Sequence, residues 1–320
     1  MNPRRCANPH CHVDEGETCV FGELSYEQCA VWKANAGAES EPSTVLSTLE
    51  ARVPWSGSAL GPDDLTLLLP RAPHILVGVL GAHDVGKTTL LTTNYLLLLT
   101  GRKIAGASFA GSRTLGAWEA LASWMRFHDS AKAPMFPPHT SRAAGRTPGL
   151  LHAALRGIDG SFRDVLLTDA PGEWFTAWAV NEGGPQAEGA RWVAEHSDCF
   201  LLVADCQRLS GEQRGIARKG LLQLIERLSN HAKGRPVTLV WTKSEFSVPD
   251  GIRSAIQNGL SENIPGAIER SATIKDPETL AEVVDDLVAR AWQSPRMDSV
   301  VPAPQIDSPF FAYRGQHGDT

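Results

Sequence analysis

Residues 81–89, GAHDVGKTT, constrain the fold of this chain more than any other stretch. They fit G-x-x-x-x-G-K-[ST], with Gly81, Gly86, Lys87 and Thr88 at the fixed positions and His83, Asp84, Val85 and Thr89 completing the loop. Glycines let the backbone wrap around phosphate oxygens, and successive N–H groups point into the wrap. The lysine reaches the terminal phosphates, and the threonine hydroxyl suits Mg²⁺. The flanks agree. Residues 74–80, HILVGVL, form a continuous apolar run of the kind a buried parallel strand needs. Residues 88–99 are Leu-rich and helical in pattern, and Gly101 is placed to cap them. Strand, glycine loop and helix therefore occur in the order the phosphate site requires.

The composition suits a globular protein with a substantial core: 42% hydrophobic and 21% charged over 320 residues. A net charge of −6 argues against a general nucleic-acid-binding surface. Residues 90–99 are too short and too interrupted by Thr92, Thr93 and Asn94 to span a membrane. The basic residues near the N-terminus have no apolar stretch behind them, so no signal peptide is expected and a cytoplasmic setting is.

Four of the six cysteines, Cys6, Cys11, Cys19 and Cys29, fall within residues 1–33. A segment that short buries little core. Four thiolates, with His10 and His12 nearby, could hold a structural Zn²⁺ that supplies the folding energy. The spacing, C-x4-C-x7-C-x9-C, is looser than paired C-x2-C knuckles, so unligated or redox-labile thiols stay open as the alternative. Cys199 and Cys206 lie near opposite ends of another apolar run and read as buried free thiols.

Four segments follow. Residues 1–33 are the Cys-rich head. Residues 34–70 are a linker whose apolar 65–69 run packs on the core. Residues 71–293 are the main domain, with a long insertion at 102–146. Residues 294–320 are a Pro- and Ser-rich tail expected to be disordered. In the insertion, residues 103–108 read as a strand. Residues 115–127 read as a helix whose apolar face carries Leu115, Trp118, Leu121, Ala122 and Met125. Residues 150–156 and 162–169 read as a hairpin. Residues 199–205 and 236–241 read as further buried strands. Two more helices present Leu221, Leu222, Leu224, Ile225 and Leu228, then Leu280, Val283, Val284, Leu287, Val288 and Ala291, with Asp276-Pro277 starting the last one.

Two motifs extend the first. Asp169-Ala-Pro-Gly172 fits D-x-x-G at the end of an apolar strand, where α/β sheets place ligand groups. Asp169 would hold the Mg²⁺ shell through water, and the Gly172 N–H would meet the terminal phosphate. Thr242-Lys243-Ser244-Glu245 follows the 236–241 strand.

This ordered set resembles the motif series of the translation-factor-related (TRAFAC) class of P-loop GTPases. That resemblance implies a Ras-like, mostly parallel sheet with helices on both faces, and GTP with Mg²⁺ as ligands. It makes Thr242, Lys243 and Glu245 the base-reading residues, with the Glu245 carboxylate accepting from the guanine N1 and N2 groups. Ser271-Ala272 resembles the last base-contacting motif. Glu245 stands where the class carries aspartate, one methylene shorter. Glu173 stands where Ras-like proteins carry a water-orienting glutamine, which implies slow hydrolysis or help from a partner. Thr147, or Thr140, would be the switch threonine. Arg113, Arg142 or Arg146 would be an arginine finger in cis. Asp84 either binds a cation or repels phosphate, and His83 lines the loop.

More narrowly, GAHDVGKTTLL, HTSR, PGLLHAALR, LLTDAPGEWF, CFLLVADC and VWTKSE resemble the bacterial double-GTPase family of multi-gene conflict systems. That family implies a regulatory GTPase acting with a second GTPase or adaptor proteins. Trp174, Phe175 and Trp178 are then either core packing or a nucleotide-sensitive docking surface. A pseudo-GTPase scaffold recruiting partners through the Cys-rich head, and a P-loop ATPase, remain as alternatives.

Overall fold

The computed structural model describes residues 59–68, 72–126, 136 and 148–293. The zinc ligand set (Cys6, Cys11, Cys19, Cys29), Thr140, Thr147, Arg142, Arg146 and the 294–320 tail lie outside the described residues.

Seven strands form one sheet in the order β2-β3-β4-β1-β5-β6-β7. β1 (His74–Leu80) is central, and its apolar run is buried on both faces except at the first residue. It pairs in parallel with β4 (Phe162–Asp169) and β5 (Cys199–Asp205). β6 (Val237–Thr242) and β7 (Ile268–Ser271) extend the parallel sheet on the β5 side. β3 (Gly149–Arg156) forms the expected hairpin with β4, in a register from Arg156↔Phe162 to Gly149↔Asp169. β2 (Ser108–Gly111) adds an antiparallel edge to β3.

Side chains alternate across the sheet with the period of two that a strand imposes. Cys199, Leu201 and Val203 of β5 join one core. Phe200, Leu202 and Ala204 join the other. The first core is covered by α1 (Lys87–Leu99), α2 (Leu115–Met125) and α8 (Pro277–Gln293), and every residue of the expected α8 stripe is buried. The second is covered by α3 (Gly172–Val180), α4 (Glu188–His196), α5 (Cys206–Ser210), α6 (Arg214–Ala232) and α7 (Asp250–Asn263). Of the expected α6 face, Leu222 is half-buried and the other four are buried. α1 ends as expected: Gly101 and Arg102 N–H groups donate to the Leu98 and Leu97 carbonyls. A helical turn at Leu65–Leu68 packs Leu68 with Leu60, Leu76, Leu150 and Leu166, the role expected for that run.

Three expectations need correction. The 103–108 strand is instead a tight turn, with Ile104 bridging Ala107 around Ala105 and Gly106, both at positive φ. Asp285 Oδ1 accepts the Ala105 N–H at 2.5 Å and holds that turn, so the strand begins only at Ser108. The 115–127 helix stops at Met125, and of its expected apolar face only Trp118 and Ala122 are fully buried. Leu115, in the first turn, is 42% exposed. The 236–241 strand runs one residue later, to Thr242.

A buried polar knot ties α2 to the hairpin. His152 Nε2 lies 3.0 Å from Asp164 Oδ1, both side chains being 1% exposed. The Arg113 N–H donates to His152 Nδ1, and Trp118 Nε1 and Ser112 Oγ donate to the His152 carbonyl. With Nδ1 accepting, Nε2 carries the proton and donates to Asp164. Among the described residues, no helix is long and apolar enough to cross a membrane.

Candidate nucleotide site

The parallel strands end on one edge, and the motif residues gather there because each follows a strand directly. A cavity of about 510 Å³ runs from the 81–89 loop and the start of α3 to Lys243, Glu245 and Thr273. Two helix N-termini, those of α1 and α3, open onto it. Unpaired N–H groups and the positive end of each helix dipole make such termini anion-binding.

The loop is shaped by its backbone. Gly86 takes φ 94 as it enters α1, and Asp84 sits at φ 62, a conformation that aspartate tolerates better than most side chains. Lys87 is 7% exposed, and its Nζ donates to the Gly81 and Ala82 carbonyls at 3.0 and 2.8 Å. Burial pushes its amine down to about 8, against the pull of Asp169, Glu173 and Asp84. A lysine kept in that position at such cost suits a task other than packing.

Thr88 Oγ1 donates to Asp169 Oδ1 at 3.1 Å. Neighbouring oxygens of an octahedral Mg²⁺ shell, at ~2.1 Å from the ion, lie about 3 Å apart, so this hard-oxygen pair fits two adjacent positions. Among the described residues, no group of three or more His, Cys, Asp or Glu could hold a metal.

Gly172 packs directly on the loop. A Cβ there would fall 2.2 Å from the His83 nitrogen and 2.4 Å from the Ala82 oxygen. Only glycine allows the D-x-x-G turn to approach so closely. Glu173, next in α3, faces His83: His83 Nδ1 lies 3.4 Å from Glu173 Oε1, and Nε2 lies 2.9 Å from Asp84 Oδ2.

At the other end, Thr242 is a strut beneath the loop. Its hydroxyl donates to the Val85 and Ala204 carbonyls at 2.8 and 3.1 Å. Lys243 Nζ bridges Asp205 Oδ2 (2.7 Å), Gln207 Oε1 (3.3 Å) and the Asp84 carbonyl (3.3 Å), so it stitches the end of β5 to the 81–89 loop. Glu245 Oε2 accepts from Thr273 Oγ1 at 2.7 Å, and that bond holds its carboxyl below the usual carboxylate range.

Residues 83–89 of the loop and Ala272 line the cavity, but Gly81, Asp169 and Ser271 do not. The Ala272 N–H is engaged by the Trp241 carbonyl. Arg113 also lies off the cavity, with its backbone on His152. Phe175 and Trp178 are fully buried and Trp174 packs on the same core, which removes the docking-surface reading. Cys199 and Cys206 are buried free thiols, and burial pushes the Cys206 thiol up to about 11.

Sequence reasoning missed Asp205, Gln207, Arg208 and Thr273. Asp205 ends its apolar strand as Asp169 does, and that parallel was a usable signal. Arg208 Nη1 donates to the His83 carbonyl at 2.8 Å, a contact between residues far apart in the chain that no local pattern announces.

A search of curated proteins finds no match to the chain. The family model described as Double-GTPase 2 matches residues 75–293, a span that takes in the sheet from β1 onward and every motif of the cavity. The chain therefore belongs to the Double-GTPase 2 family of P-loop GTPases.

Proposed function

We propose that this protein is a Mg²⁺-dependent switch that binds and hydrolyses GTP, and that it acts with a second GTPase or adaptor in a bacterial conflict system. The family supports a GTPase-type function. The observation that carries the finer reading is one cavity lined by the buried Lys87, by Thr88 and by Glu245, with Asp169 hydrogen-bonded to Thr88. Partner and setting rest on the family resemblance.

In this reading Lys87 exchanges its two carbonyl contacts for the β- and γ-phosphate oxygens. The N-termini of α1 and α3 direct N–H groups at the same charge. Thr88 and Asp169 would hold Mg²⁺, which when bound neutralises phosphate charge. Glu173 accepts a hydrogen bond from the attacking water and orients it. Glu245 accepts from guanine N1 and N2, and adenine lacks that donor pair. Gly172, seated on the Ala82–His83 peptide, links phosphate occupancy to the position of α3. That is the element a partner would read.

Single-turnover GTP hydrolysis by the full chain tests this. Turnover should require Mg²⁺ and be lost in Lys87→Ala and Thr88→Ala. Hydrolysis that survives chelation or Lys87→Ala would place the activity elsewhere.

A further inference from the structure

Glu245 has one methylene more than the aspartate of its motif, and so one more torsion to fix before its carboxylate can face a base. Two donors from guanine need both carboxylate oxygens presented together, so orientation matters as well as charge. Lys275 and Lys243 act on this carboxyl by charge, which sets no direction. The Thr273 hydroxyl acts on it more strongly than either lysine and is directional: Oγ1 donates to Glu245 Oε2 at 2.7 Å.

Thr273 is itself held in place. Its Oγ1 accepts the Lys275 N–H at 3.2 Å, which leaves the hydroxyl proton for Glu245. Its own N–H donates to Thr279 Oγ1 at 3.1 Å, and its carbonyl accepts the Asp276 N–H at 3.2 Å, just before α8. The backbone sets the two residues side by side. The Ala272 N–H donates to the Trp241 carbonyl, and the Ser244 N–H donates to the Ala272 carbonyl. Phe246 and Ile274, the next residues after Glu245 and Thr273, also line the cavity and are 40% and 37% exposed. Open apolar side chains beside a directed carboxylate suit a flat ring with N–H groups on its edge.

Building on the guanine reading, we propose that Thr273 is a positioning residue for base selection: its hydroxyl fixes the Glu245 carboxylate so that both oxygens can meet the paired donors of guanine. A carboxylate offers about four lone-pair sites. The Thr273 bond takes one of them and leaves each oxygen able to accept a base N–H. The longer side chain and the threonine that steadies it therefore work as a pair.

Calorimetric titration of the full chain with GTP and with ATP, both with Mg²⁺, gives the ratio of the two affinities. The proteins compared are wild type, Thr273→Val, Thr273→Ser, Glu245→Ala and Glu245→Ala combined with Thr273→Val. Valine keeps the branched shape and removes the hydroxyl. In Thr273→Val the preference for GTP should fall by about 3- to 10-fold, the span of one hydrogen bond, with ATP affinity close to that of wild type. General damage to the fold would weaken both nucleotides alike, so the ratio isolates the base contact.

Thr273→Ser restores the hydroxyl and should restore the wild-type preference. In the Glu245→Ala background, Thr273→Val should leave the ratio unchanged, the coupling expected when one residue acts through another. An undiminished preference in Thr273→Val, a serine variant no better than valine, or a further change in ratio without the Glu245 carboxylate would overturn the inference and leave GTP binding intact. A wild type that does not prefer GTP over ATP would overturn the guanine reading as well.

Discussion

Replacing Lys87 by methionine should make the nucleotide-free protein more stable at pH 7 while abolishing its response to GTP. The amine is buried, and its titration falls from 10.5 to about 8. Keeping it charged in the fold therefore costs about 3 kcal/mol relative to the unfolded chain. Against this, Lys87→Met loses two hydrogen bonds, to the Gly81 and Ala82 carbonyls, worth about 1 kcal/mol each. The net is about 1 kcal/mol in favour of methionine, or roughly 2–4 °C in Tm for a domain of this size.

The sign reverses with pH. Between pH 8 and 10.5 the unfolded wild type binds more protons than the folded form, so wild-type stability rises with pH through that window and the variant's does not. The advantage of methionine should shrink above pH 8 and cross zero near pH 9, ending about 2 kcal/mol in favour of lysine once the charge is gone. Urea denaturation at pH 7, 8, 9 and 10 measures this, because other titrating groups cancel in the difference. Adding Mg²⁺ and GTP at 100 times Kd should stabilise the wild type by about 2.7 kcal/mol and the variant not at all. A variant markedly less stable than wild type at pH 7, or a gap that does not move with pH, would refute the claim that Lys87 is held for its ligand.

Three further outcomes follow from contacts. Glu245→Asn should lower GTP affinity at least tenfold and favour xanthine nucleotides, since an amide can accept from N1 and donate to the C2 carbonyl; competition binding reads this. Gly172→Ala should displace the start of α3, since the methyl would collide with the Ala82–His83 peptide. A destabilisation of about 1–3 kcal/mol, with hydrolysis lost and GDP binding kept, is the expected pattern. Asp164→Ala should cost about 1–3 kcal/mol in urea denaturation, because it strands the buried His152 Nε2–H.

The framework of this fold is written locally. β1, β5 and β6 are covered on both faces, so each appears as a largely apolar run, and the chain just beyond each run supplies residues that line the cavity. The phosphate loop and D-x-x-G motif are legible for the same reason: chemistry and chain order coincide. What escaped notice lies between chain segments. Thr242 reads as a base contact until the sheet brings its hydroxyl to Val85. Glu245 shows its extra methylene in sequence, but not the Thr273 hydroxyl that holds it. The edge was misread because the turn at residues 103–108 depends on Asp285, far away in α8, which the local sequence does not announce. His83 is one variable residue in a loop pattern, and nothing local shows that Glu173 folds back beside it.

The most direct test of the central claim is calorimetric titration of the full chain with GTP and ATP in the presence of Mg²⁺. The account predicts one site per chain, preference for GTP over ATP by at least tenfold, and loss of that preference in Glu245→Ala with GTP binding abolished in Lys87→Ala. Equal affinity for the two nucleotides, or binding indifferent to Lys87, would contradict it.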